Sequence, residues 1–136
     1  MKRDSKILVA RRYNTTYGNG QYSQPAGHVE EGETFVEAFI REAKVEINID
    51  IDPKDAHIAH MMHQDSQRGS DALRYRLEIF FIVEKWIGGI ENMEPDKCDN
   101  LSWSTLDELP DNTIPYIKEA LENIENGTPY SEYGYK

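Results

Sequence analysis

The chain has 136 residues, 38% hydrophobic, 10% aromatic and 29% charged, which fits one soluble globular domain and excludes both a disordered chain and two domains with cores of their own. Lys and Arg number 15 against 25 Asp and Glu, a net charge of −10 that repels polyanions and argues against a nucleic-acid duplex as partner. The longest apolar run, Ile79 to Val83, is far short of the ~18 residues of a membrane span, no leader-like stretch opens the chain, and the single cysteine, Cys98, excludes an internal disulfide.

A reducing, cytoplasmic setting is therefore expected. No repeat, low-complexity tract or linker divides the sequence, so a single domain over 1–136 is expected. Lys6–Arg12 (KILVARR) predicts a strand with a basic end. Residues 14–28, rich in Gly, Asn, Tyr and Thr, predict a loop holding a short strand around 21–24. A helical period runs over 34–47. Residues 56–63 and 73–86 predict two strands joined by the polar stretch 64–71. A short strand is expected over 101–104, and an amphipathic helix over 113–126 with Pro early and Gly127 just past its end. The Tyr-rich tail after Thr128 is expected to be only partly ordered. Strands interleaved with two helices give an α/β or α+β layered fold.

The helix at 34–47 carries the chemistry. Thr34 followed by Glu37 forms a capping box. At about 100° per residue, Val36, Phe39, Ile40, Ala43 and Ile47 share a core-facing sector. Glu42 and Glu46, four apart, lie about 40° from each other at the border of that face. Two carboxylates there repel unless a cation sits between them, and oxygen donors of this kind suit Mg²⁺ or Mn²⁺. A solvated acidic face is the alternative for the pair taken alone. His57, His60 and His63 alternate across a strand, so they form no ligand cluster, and Cys98 lacks the partners of a catalytic thiol.

From Gly27 the chain reads GHVEEGETFVEAFIREAKVEINI. Gly27, Glu33, Arg41, Glu42 and Glu46 stand at the spacing of the Nudix box, G-x5-E-x7-R-E-U-x-E-E-x-G-U with U aliphatic, and the chain resembles that hydrolase family. The likeness continues through YGNGQYSQPAGHVEEGE, NMEPDKCDNLSW and LDELPDNTIPYIKEAL, covering roughly residues 6–126, and is similar to the MutT-related branch that acts on nucleoside triphosphates. The resemblance implies a fold of class α/β, an α/β/α sandwich with a mixed sheet. It implies Mg²⁺ (or Mn²⁺) on Glu42, Glu46 and the Gly27 carbonyl, with Glu42 as base and Glu94 as a second candidate for ligand or base. It implies a structural ion pair between Glu33 and Arg41, for which bidentate Arg geometry is required. Arg11 and Arg12 are candidates for binding phosphate, and Trp103, Tyr13, Tyr17 and Tyr22 for stacking on a base.

The implied reaction is cleavage of a diphosphate linkage in a nucleoside triphosphate or related nucleoside diphosphate derivative, giving a nucleotide plus (pyro)phosphate. A nucleotide-sugar or ADP-ribose pyrophosphatase, and a catalytically weakened nucleotide-binding module, are the alternatives. Two box positions differ. Asn48 replaces the Gly, which the left-handed conformation tolerates, and Val45 replaces a Glu, which implies weaker or fewer metal sites. Only Met1–Ser5 precede the Lys6–Arg12 strand, where the family usually has an apolar strand. The expectation is a fold lacking that strand, a truncated start or a gap filled by a neighbouring chain, with exposed edges and apolar surface favouring a homodimer or poor stability.

Overall fold

Consecutive residues of a strand point to opposite faces, so a strand in which both are buried must be covered on both sides. Leu8 and Val9 are such a pair, 1% and 0% exposed. The computed structural model describes residues 1–15, 17–66 and 74–135. Its strands are β1 (Lys2–Arg3), β2 (Lys6–Arg12), β3 (Tyr22–Ser23), β4 (His57–Asp65), β5 (Tyr75–Ile82), β6 (Cys98–Ser104) and β7 (Tyr130–Tyr133). Its α-helices are α1 (Phe35–Ile47) and α2 (Pro115–Glu125), with short 3-10 turns at Pro53–Asp55 and Leu106–Glu108.

One sheet centres on β2, which pairs antiparallel with β1, β3 and β6. The other is mixed, with β4 antiparallel to β5 and parallel to β7. On one side Leu8 packs with Ala43 and Ile47 of α1 and with Ile49, Ile51 and Val83. On the other, Met62 and Phe80 pack with Ile117, Ala120 and Leu121 of α2, and Ile7 joins them. The result is the mixed α/β sandwich expected from the resemblance. Among the described residues no helix is long and apolar enough to cross a membrane.

The expected strand at Lys6–Arg12 is found with those bounds. The capping box closes the start of α1, where Glu37 N donates to Thr34 Oγ1 at 3.1 Å and Thr34 N to Glu37 Oε2 at 3.1 Å. Asn48 ends α1 in the left-handed region, φ 60° and ψ 38°. The structure differs at several places, among them β4, which runs past the expected 63 to Asp65 because β5 pairs with it that far. Residues 1–5 do supply a strand before β2: Asp4 and Ser5, both at positive φ, make a tight turn whose twist suits a hairpin. Strand β6 starts at Cys98, earlier than the expected 101. Strand β5 ends at Ile82 instead of running to 86. The tail forms β7, because Thr128 and Ser131 satisfy a buried histidine: His60 Nδ1 lies 2.7 Å from the Thr128 carbonyl and Nε2 lies 2.8 Å from Ser131 Oγ. Of the connection expected over 64–71, residues 67–71 lie outside the described residues, as does Leu73.

Candidate active site

The extended segment after β3 crosses in front of α1, and its approach is set by a missing side chain. A Cβ on Gly27 would come within 2.2 Å of Glu42 Cδ, so any other residue would push the Glu42 carboxylate out of place. Beyond it, residues 30–33 turn tightly, with Glu33 N donating to the Glu30 carbonyl at 3.1 Å. Gly32 takes φ +85° in that turn, a conformation costly for any residue with a Cβ. The turn delivers Glu33 to Arg41. The Arg41 Nε and Nη2 donate to the two Glu33 oxygens at 2.7 and 3.0 Å, and Nη2 also reaches the His28 carbonyl at 2.9 Å. The guanidinium holds the Glu33 carboxyl below its usual range, and Glu33 in turn keeps Arg41 more firmly protonated. Arg41 Nη1 donates to Glu42 Oε1 as well. Loop and helix are thus fastened by one planar cation.

Glu46 stands one turn on from Glu42, its Oε2 accepting from Ala26 N at 3.2 Å. Its carboxyl is pushed up to about 9, first by burial and then by Glu42 and Glu94. Burial disfavours the charged form, and like charges add to the effect. Glu94 arrives on the loop before β6. That loop closes over the end of α1, with Glu91 N donating to the Ile47 carbonyl and Met93 N to the Glu46 carbonyl, each at 3.0 Å. Asn92 shapes it: Glu94 N donates to Asn92 Oδ1 at 3.0 Å, and Asn92 Nδ2 donates to the Cys98 carbonyl at 2.7 Å. The sequence reading missed Asn92, although an Asn two residues before an acid is a recognisable turn signal.

These elements surround a cleft of about 580 Å³ that Arg11, Arg12, Gly27, Glu42, Glu46 and Glu94 all line, a size suited to a small-molecule ligand. Arg11 is bound through Nε and Nη2 to Asp99 at 2.7 and 2.9 Å. Arg12 donates from Nε to the Tyr17 carbonyl at 2.8 Å, over the Tyr17 ring. Lys97 reaches Glu94 at 3.9 Å on the rim. Val45 also lines the cleft and is 49% exposed, so an apolar side chain faces the cleft at the departed box position.

Trp103, expected to stack on a base, does not line this cleft. It pairs with Leu8 across β2 and β6 and stacks with Trp86 at 6.3 Å, with the Arg3 guanidinium about 5 Å from both rings. Tyr22 is likewise occupied, its hydroxyl accepting from Asn100 Nδ2 at 2.7 Å. Cys98 lines the cleft, and burial pushes its thiol up, away from a nucleophilic thiolate. His57, His60 and His63 do not converge, and among the described residues no three acidic, imidazole or thiol groups form a ready-made metal cluster. The donor set nevertheless suits a hard divalent cation. Two carboxylates beside the Gly27 backbone offer oxygen donors, and like charge from Glu42 and Glu94 crowds Glu46.

Comparison with known proteins gives a consistent answer. Residues 1–124 match the family model described as the NUDIX domain. The chain is similar to the MutT NUDIX hydrolase from Burkholderia pseudomallei, 26% identical over 90% of each chain with a TM-score of 0.78. It shares its fold with the MutT protein from Methanosarcina mazei Go1, 18% identical over 89% of this chain and 83% of that one, TM-score 0.71. It also shares it with a UDP-X diphosphatase, 20% identical over 96% of this chain and 62% of that one, TM-score 0.64.

Proposed function

The chain belongs to the Nudix family of hydrolases acting on phosphoanhydride bonds, and from that premise we propose that it cleaves a diphosphate linkage in a nucleoside triphosphate or related nucleoside diphosphate derivative, releasing a nucleotide plus (pyro)phosphate. The observation that carries this reading is the half-buried Glu46 carboxylate facing Glu42 and Glu94 beside the Cβ-free Gly27. Glu42, Glu46 and the Gly27 carbonyl would hold Mg²⁺ or Mn²⁺, which when bound neutralises phosphate charge and acidifies the attacking water.

The chain's own groups do the rest. Glu42 accepts the proton of the water, with Glu94 as the other candidate. Arg12, and Arg11 when it releases Asp99, meet the phosphates. The Glu33–Arg41 fork keeps the Gly27 segment and Glu42 in register. Because the protein surface is acidic, attraction for a polyphosphate comes from the cation and these two arginines. A hydrolysis screen over nucleotides in Mg²⁺, with product identification, tests the reading. Turnover is expected to fall by on the order of 10³ in Glu46→Gln, and wild-type turnover in that variant would refute the metal assignment. Product masses in the same screen separate a triphosphatase from a nucleotide-sugar pyrophosphatase, the activity that the UDP-X diphosphatase neighbour brings into view.

One observation favours a second reading. Val45 presents an apolar side chain to the cleft where the box has a carboxylate, as a catalytically weakened nucleotide-binding module would. Val45→Glu discriminates: a large gain from a near-zero baseline supports the module, and a brisk wild-type rate excludes it.

A further inference from the structure

The sheet of β5, β4 and β7 has one face turned to α2 and one turned away. Its register separates them. His60, Met62 and Gln64 face inward with Arg76, Glu78, Phe80 and Ser131, whereas Met61 pairs with Ile79 and Tyr130, and His63 with Leu77 and Glu132, on the outer face. Helix α1 covers the outer face at one end only, where Phe39 stacks on Phe81 at 4.4 Å. The rest is open. Ile58, Met61, Tyr75, Leu77, Tyr130 and Tyr135 are between 37% and 60% exposed. With each presenting about half of a typical ~200 Å² side chain, the patch comes to on the order of 600 Å². That is at the upper limit for an ordinary monomer surface and close to the ~800 Å² that each partner contributes to a standard interface.

We propose that this outer sheet face is where a second copy of the chain docks, the two sheets packing face to face about a twofold axis. Charge selects the occupant. Two chains of −10 each repel, and they can approach closely only through a face nearly free of charge. Among the described residues of this face, Glu132 and the Asp65–Arg74 pair are the charged groups; Glu132 accepts from the Tyr130 hydroxyl at 3.0 Å, and Asp65 meets Arg74 at 2.7 Å. The patch is also held in shape, since the Tyr135 hydroxyl lies 3.2 Å from His63 Nε2. Flat sheet faces pack on one another about 10 Å apart, and tyrosine gives large contact area at low entropic cost.

None of the six residues lines the cleft, so the proposal and the hydrolase reading stand or fall separately. Light scattering on the purified full-length protein at 100 µM is expected to give about twice the 15.7 kDa chain mass. Leu77→Glu and Met61→Lys, both at exposed positions, are each expected to give the single-chain mass with unchanged circular dichroism and unchanged hydrolytic rate per chain. A wild-type protein of single-chain mass overturns the proposal. So does a dimer that survives both substitutions, which would place the contact elsewhere.

Discussion

The two carboxylates of α1 are separated by one turn but differ in environment, and each has a measurable consequence. Glu42 is bound to Arg41, whereas Glu46 is half-buried and faces other acids. The folded protein therefore prefers Glu46 protonated, while in the unfolded chain it ionises near 4.5. Its contribution to stability is complete below about pH 4.5 and is lost as pH rises toward about 9. Thermal unfolding of chelator-treated protein is expected to show a midpoint falling across that window. Glu46→Gln should flatten the slope, and Mg²⁺ should raise the wild-type midpoint more at pH 8 than at pH 6. Arg41 shows why its position demands a planar fork, because it donates simultaneously to Glu33, His28 and Glu42. Arg41→Lys keeps the charge but not the fork, and the urea midpoint should fall. In the double variant Arg41→Lys/Glu33→Gln the loss should be less than additive, since both substitutions break one contact.

Helix α1 shows how much of the element scale was legible. The Thr34–Glu37 box, the apolar period and the left-handed Asn48 were read from local chemistry, because caps and periodicity depend on near neighbours. The Glu33–Arg41 pair was reachable only through the spacing of the box. Strand β7 was not legible: four residues with a mixed pattern become a strand because β4 offers them an edge and buried His60 bonds to Thr128 and Ser131. The irregular register between Ile58 and His60 was equally hidden, since a bulge is settled by the partner strand. The loop carrying Glu94 depends on Asn92 and on the last carbonyls of α1. Asn92→Ala should lower the Mg²⁺-saturated rate by roughly tenfold or more. Its pH profile should shift while circular dichroism is unchanged, a combination that plain destabilisation would not produce.

For the whole molecule, the family match ends at residue 124, yet the chain continues into a strand that completes a sheet. His60, fully buried, depends on that extension for both ring nitrogens. Ser131→Ala should cost about 1–2 kcal/mol, measured by urea unfolding, and should leave hydrolysis unchanged because the serine does not line the cleft. The two sandwich halves can therefore be probed independently, α1 with the cleft on one side and α2 with β7 on the other.

The chain's two tryptophans, Trp86 and Trp103, are stacked on each other beneath Arg3 of the opening hairpin. Tryptophan emission thus comes from a single spot, and a melt followed by selective indole excitation reports when the first few residues let go of the indoles. Neither indole lines the cleft, so ligand titrations followed by that signal are expected to change little, and a dye or calorimetric readout suits this enzyme better.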